Sequence, residues 1–352
     1  MVFSSVIFLF AFLPAVLLGN YLLPKSWRNT VLLVFSLGFY AWGEKIFVLL
    51  MLGSIVFNWL LGRMVQKSAS QRTRKWLVSA GVVGNLSLLG WFKYAGFIFE
   101  TLNRVVTQFG LPQMPAPEIH LPIGISFFTF QAMSFLIDVY RSDDDRPARL
   151  VDTALYISLF PQLIAGPIVR YHQIAEQIRQ RTESIDRFTR GVQRFILGLG
   201  KKIILADSAG FIADNVFTLP VDKVTTGMAW MGLVAYSLQI YFDFSGYSDM
   251  AVGLGRFFGF ELPENFNFPY ISRSIKEFWR RWHISLSTWF RDYLYIPLGG
   301  SRQGTVRTYV NLWVVFVLCG LWHGAGWNFV IWGVLHGCYL VTERLGFDRL
   351  LK

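Results

Sequence analysis

The sequence predicts an all-α protein, a polytopic transmembrane helical bundle with short, tilted and re-entrant helices. Three observations predict it. Hydrophobic residues make up 53% of the 352 and the mean hydropathy is +0.42, too apolar for a soluble chain of this length. Apolar runs separated by polar loops recur from one end to the other. Several runs fall short of the roughly 20 residues that a straight span needs, and they are broken by Gly or Pro. Such breaks are tolerated in a bilayer only where the backbone is buried in protein or lines a wet cavity.

The first run, 3–23, has no basic leader and no small-residue cleavage site, so it reads as a retained span rather than a signal peptide. Runs at 29–43 and 46–62 turn at Glu44-Lys45 and are flanked by Lys25 and Arg28 on one side and by Arg63, Lys67, Arg72, Arg74 and Lys75 on the other. That pattern puts both basic loops in the cytoplasm and the N-terminus outside. After the runs at 76–92 and 94–102, the polar, Pro-containing stretch 103–120 reads as an exterior loop, with His120 as a loop histidine. The next run is 121–140.

The basic or mixed segments Arg141–Arg149 and Arg170–Arg190 are both read as cytoplasmic. The run between them, 153–169, then cannot cross, and its Pro161, Gly166 and Pro167 make it a re-entrant hairpin. The alternative is two spans. His172 reads as a solvated histidine of the basic segment. Further runs follow at 191–206 and 227–242. From Tyr241 the text becomes rich in Gly, Asp, Asn and aromatics, and Asp243 and Asp249 follow the span directly. Carboxylates there can brace a turn, hold an ion or bind a substrate hydroxyl. ELPENFNFPY reads as an extended connector.

The stretch from Lys276 to His323 organises the rest, and its first half runs from Lys276 to Tyr293. Turned as one helix, it puts Trp279, Trp282, Leu286, Trp289 and Tyr293 on one side and Lys276, Arg280, Ser287 and Arg291 on the other, with His283 at the seam. A basic amphipathic helix with Trp on its apolar face suits a membrane interface. The runs 307–322 and 328–342 close the chain, and the first of them leads into His323. With no repeat and no soluble segment of its own, 1–352 is a single domain.

The net charge of +11 comes from Lys and Arg gathered between apolar runs, which points to anionic membrane lipids and not to nucleic acid. Cys319 and Cys338 both sit inside apolar runs, with no CxxC, HxxxH or HExxH spacing, so neither a disulfide framework nor a metal site is expected.

His323, in LWHGAGW, sits at membrane depth among glycines that would let backbone and substrate come close. An imidazole there can deprotonate an acceptor hydroxyl as it attacks a thioester or ester carbonyl. His283 can orient the donor, stabilise the oxyanion or relay the proton. The residues alone leave a structural role open for both. Cys319 precedes His323 by four positions, so a Cys–His acyl-enzyme is a weaker option beside an inert buried thiol. Lys276, Arg280, Arg281 and Arg291 can receive the phosphates of a coenzyme A or pantetheine donor, or anchor to lipid headgroups.

At these residues the chain resembles the membrane-bound O-acyltransferase family, in its bacterial branch of alginate O-acetyltransferases and teichoic acid D-alanyl transferases. The resemblance rests on YFDFSGYSDMAVGLGRFFGFELPENFNFPY, SIKEFWRRWHISLSTWFRDYLYIPLGG and GLWHG, with support from MVFSS, LPIGISFFTFQ and LFPQLIAGPIVRY. It implies a catalytic His323, with His283 as the second motif histidine, in helices around a buried tunnel. It also implies a multi-pass protein of the bacterial inner membrane, with no permanently bound cofactor and an acyl thioester such as acyl-CoA as donor. The acceptor would be an exported polysaccharide, or an extracytoplasmic acyltransferase partner protein. Relatives of this kind continue through further spans, so the chain is read as a C-terminally truncated form. D-alanyl or other acyl transfer is the alternative within the class. Outside it stand a non-catalytic scaffold and a lipid-linked sugar transporter using Asp138, Asp243 and Asp249.

Overall fold

The computed structural model describes residues 2–142 and 146–347. The middle of the predicted cytoplasmic loop 141–149 and the end of the chain at Lys352 lie outside the described residues. Among the described residues there is no strand. The α-helices are α1 Leu13–Leu22, α2 Arg28–Glu44, α3 Phe47–Lys67, α4 Gln71–Leu89, α5 Ala95–Gln108, α6 Ile125–Arg141, α7 Leu150–Ser158 and α8 Phe160–Leu163. They continue with α9 Tyr171–Arg179, α10 Ile185–Gly200, α11 Asp207–Phe217, α12 Thr226–Phe257, α13 Ile275–Arg281, α14 Ile284–Phe290, α15 Thr305–His323 and α16 Trp327–Arg344. Among the described residues, three helical stretches are long and apolar enough to cross a membrane: Phe47–Lys67, Gln71–Gln108 and Thr305–His323. Large apolar side chains also face outward, Phe10 at 77% and Trp230 at 66% exposure among them, as a lipid surround permits.

Backbone packing divides the chain into two compact units, one comprising the chain up to Val48 with Ala154–Phe266, the other Leu49–Thr153 with the chain from Asn267 onward. In the first unit, Phe3, Phe8, Phe39, Phe160 and Phe258 are wholly or almost wholly buried together, and Phe3 stacks on Tyr247 at 4.5 Å. The 153–169 run breaks at Leu159 between α7 and α8 and folds back, so that the Tyr156 hydroxyl donates to the Val169 carbonyl at 2.8 Å. Gly166 is needed at that return because a Cβ there would stand 2.3 Å from the Pro161 carbonyl oxygen. The amide freed at the break, that of Phe160, donates to Ser36 Oγ of α2 at 3.1 Å.

In the same unit α10 and α12 cross at two glycine pairs. A Cβ on Gly198 would lie 2.6 Å from the Gly246 carbonyl oxygen, and one on Gly253 would lie 2.7 Å from that of Gly191. Close approach of this kind is what small residues provide where two helices pack without bulky side chains between them. It brings Asp249 of α12 against Arg194 and Lys201, at 2.7 and 2.6 Å.

These helices correct four sequence expectations. The runs 76–92 and 94–102 form one helical stretch, because Gly90–Tyr94 is a π-helical turn that continues it. The exterior stretch expected from 103 is helical as far as Gln108. α11 was not marked by an apolar run. And α12 runs unbroken for 32 residues, so Asp243 and Asp249 lie within a helix instead of beyond its end.

In the second unit α3 and α4 pack through a buried pair of asparagines. Asn85 donates to the Asn58 amide oxygen at 2.7 Å, and Asn58 returns the bond at 3.1 Å. Each amide also donates one turn back along its own helix, to Gly81 and Ser54. Satisfying these groups matters because an unpaired buried amide costs roughly 1–3 kcal/mol.

Candidate active site

Ser274 starts α13 by accepting the Glu277 amide at 3.1 Å, while the Glu277 carboxylate accepts the Arg273 amide at 2.9 Å. Serine followed three residues later by glutamate is the sequence signature of a helix start. The Arg273 amide, and then the Arg281 guanidinium at 2.9 Å, hold the Glu277 carboxyl below its usual range. Only two turns later the helix ends. Trp282 is extended, and His283 adopts the left-handed conformation at φ 44° and ψ 54° before α14 begins.

The single amphipathic helix expected over 276–293 is therefore two short helices with a π-helical turn, Arg291–Tyr295, after them. His283 is not at a seam between faces; it occupies the break and is 1% exposed. Periodicity could not reveal this, because the apolar spacing is kept on both sides of the break: Leu286, Trp289 and Tyr293 are buried while Lys276, Arg280 and Arg291 stay exposed. A non-glycine residue in this backbone region costs on the order of 1–3 kcal/mol and is found mostly where function or the surrounding packing requires it.

His323 is the last residue of α15, and its side chain is exposed. It and His283 share one neighbour: the buried Trp322 indole centres 5.1 Å from the His323 ring and 5.9 Å from that of His283. On its other side His323 meets Trp332 of α16 edge-on at 5.0 Å, and Trp332 in turn packs on His336 at 4.4 Å. The glycines around His323 serve helix packing. A Cβ on Gly320 would stand 2.2 Å from the Phe329 carbonyl oxygen, and one on Gly324 would stand 2.0 Å from the Phe329 ring. The space that the sequence assigned to substrate at these two glycines is filled by α16.

The basic residues separate. Lys276, Arg280 and Arg291 line a common cavity of about 220 Å³ together with Ser287, Trp279 and Cys319. Arg291 also pairs with Asp292 at 2.7 Å. Arg281 is turned to its own segment, held by Glu277 and donating to the Asn267 carbonyl at 3.1 Å. Cys319 faces this basic cavity, and no hydrogen bond links its thiol to His323. A second, almost wholly apolar cavity of about 520 Å³ lies against Tyr94, Phe130, Met133, Trp289, Leu318 and Trp322.

Sequence reading passed over Lys93, Tyr94, Trp332 and His336. Lys93 donates to the Trp322 carbonyl and, at 3.0 Å, to Ser126 Oγ, while the Tyr94 hydroxyl donates to the Leu321 carbonyl at 2.7 Å. A signal existed for the lysine. It is the one charge between the runs 76–92 and 94–102, and an ionisable group at that depth marks a site or a brace.

The three carboxylates of the transport reading are all engaged. Asp138 accepts the Tyr293 hydroxyl, Asp243 pairs with Lys202 at 2.6 Å, and Asp249 pairs with Arg194 and Lys201. Chemically, the arrangement offers an exposed imidazole beside a buried one, with a cationic cavity lined by residues of α13, α14 and α15.

The family model for the membrane-bound O-acyltransferases matches residues 37–350. A protein named probable alginate O-acetylase, from Pseudomonas aeruginosa, is 51% identical over 98% of this chain, which spans 66% of that protein's length. A peptidoglycan O-acetyltransferase of Helicobacter pylori is 39% identical over 98% of the chain and 70% of its own length. A teichoic acid D-alanyltransferase of Bacillus subtilis is 27% identical over 72% of the chain and 69% of its own length. With the family model covering most of its length and relatives of this identity running through nearly all of it, the chain belongs to the membrane-bound O-acyltransferase family.

Proposed function

We propose that the chain is an O-acyltransferase of the bacterial inner membrane that moves an acyl group, most simply acetyl, from a cytoplasmic thioester donor to hydroxyls outside. The observation that carries the reading is His323, exposed at the end of α15 and packed through one indole against the buried His283. His323 acts as general base. It takes the acceptor hydroxyl proton as that oxygen attacks the thioester carbonyl; the C–S bond then breaks, and the leaving thiolate receives the proton from the imidazolium. His283 orients the donor or stabilises the oxyanion. Lys276, Arg280 and Arg291 receive the donor's phosphates in their shared cavity. Arg281, bound to Glu277 and Asn267, is the weakest of the four basic candidates.

The acceptor is an exported polysaccharide, reached directly or through an extracytoplasmic acyltransferase partner. The names of the Pseudomonas and Helicobacter relatives support O-acetylation of a glycan, and the more distant Bacillus relative keeps D-alanyl transfer as the second reading. The engagement of Asp138, Asp243 and Asp249 in pairs speaks for braces over a transport path. The test is acetyl release from radiolabelled acetyl-CoA by the purified protein, with and without candidate glycans. Release stimulated by a glycan supports the reading, and no release with any acyl thioester overturns it.

A further inference from the structure

The helical stretch Gln71–Gln108 widens for one π-helical turn at Gly90–Tyr94. Single π turns within α-helices concentrate at functional sites. Two consecutive side chains of this turn reach two consecutive carbonyls of another helix: Lys93 donates to Trp322 and Tyr94 to Leu321.

Those carbonyls are of a particular kind. The last four carbonyls of an α-helix have no amide one turn ahead to receive. At the end of α15 the Gly320 carbonyl is taken by the Gly324 amide at 3.3 Å. The next two, Leu321 and Trp322, are taken by Tyr94 and Lys93. A cation at a helix C-terminus also opposes the negative end of the helix dipole. The Lys93 ammonium lies 5.6 Å from the centre of the Trp322 ring and 3.0 Å from Ser126 Oγ, so it is located by three groups.

The Trp322 carbonyl belongs to the peptide that joins Trp322 to His323, and a peptide is planar. Fixing that oxygen fixes the plane from which the His323 Cα departs. We infer that Lys93, seconded by Tyr94, is a positioning residue for His323, closing the end of α15 from outside the helix and setting the direction of its imidazole. This rests on the reading of His323 as the general base.

The experiment compares Lys93→Met, Lys93→Arg, Tyr94→Phe and His323→Ala in the full chain, measuring acetyl transfer from acetyl-CoA per folded molecule. A misplacement of about 1 Å can cost up to about 100-fold in rate. Lys93→Met should lose roughly 10-fold to 100-fold in kcat with donor KM almost unchanged, and Lys93→Arg should recover a large part. A cap that served stability alone would lower the yield of folded protein and leave kcat per folded molecule as it was. That result in Lys93→Met, with His323→Ala inactive, overturns this inference alone. An active His323→Ala overturns the reading beneath it. If Lys93→Met does not fold, Tyr94→Phe decides, since an undiminished kcat there also overturns the proposal.

Discussion

The Tyr293 hydroxyl lies 2.8 Å from both oxygens of the Asp138 carboxylate, and both side chains are buried. Tyr293 belongs to the turn that follows α14, and Asp138 to the last turns of α6, so one hydrogen-bonding group fixes a helix end that the chain separates by 155 positions. Tyr293→Phe keeps the ring and leaves a buried carboxylate one donor short. The expected cost is about 1–3 kcal/mol. Thermal unfolding in detergent should show a clear fall in midpoint, and an unchanged midpoint would show that the pair contributes nothing.

Base catalysis and covalent catalysis separate at two positions four residues apart. His323→Ala should lose roughly 100-fold to 10,000-fold in turnover while still inserting and folding. Cys319→Ser should keep substantial activity, since the thiol faces the basic cavity and no hydrogen bond joins it to His323. Turnover of the two purified variants decides. An active His323→Ala sinks the base assignment, and an inactive Cys319→Ser with a trapped acyl-protein would favour the thioester route.

The left-handed backbone at His283 makes its own prediction. Asn tolerates that region better than other side chains that carry a Cβ, because its short polar group can bond locally. His283→Asn should therefore fold better than His283→Ala, and neither should restore the imidazole's contribution to turnover. Folded yield and acyl transfer, measured side by side, check this. Equal yields would argue that the packing around position 283, not the local backbone, sets the conformation.

The crossing of α10 and α12 predicts a contrast between two glycines of one helix. Gly198→Ala would place its Cβ 2.6 Å from the Gly246 carbonyl oxygen and 2.7 Å from the Met250 amide, so backbone must shift. At Gly200, two residues on, nothing lies within 4 Å of a new Cβ. Gly198→Ala should lower detergent-stable yield sharply, by the typical overpacking cost of about 1–3 kcal/mol. Gly200→Ala should be neutral or slightly stabilising, as alanine is the better helix former. Similar yields for both variants would dismiss the close crossing.

The basic loops predict a topology in which 63–75 and 170–190 face the cytoplasm. Ala69 and Thr182 are exposed positions in them, outside the helices. Cysteines placed there should resist an impermeant thiol reagent in intact cells and react after permeabilisation. Ready labelling from outside at either position removes the topology and, with it, the re-entrant reading of 153–169.

Where helices lie was largely legible in the sequence, because apolar runs and their interruptions are local properties that a helix displays residue by residue. The runs at 29–43, 46–62 and 307–322 correspond to α2, α3 and α15. The histidines were also legible as candidates, since an ionisable side chain in an apolar setting stands out by itself. What local pattern could not carry is anything that depends on two distant segments meeting. The break at His283 keeps the apolar spacing on both sides, so periodicity passes through it unaltered. The glycines flanking His323 read as room for substrate, and only the approach of α16 shows that they make room for a helix. Lys93 read as the interruption between two runs, and only the end of α15 beside it shows a cation placed on carbonyls that their own helix leaves unbonded. Apolar patterning along the chain located the main long helices, though not α11 or the break at His283, and it singled out the side chains that can move a proton. The tertiary structure decided which of those side chains share a neighbour, because hydrogen bonds and close packing are satisfied across the fold and leave no period along the chain.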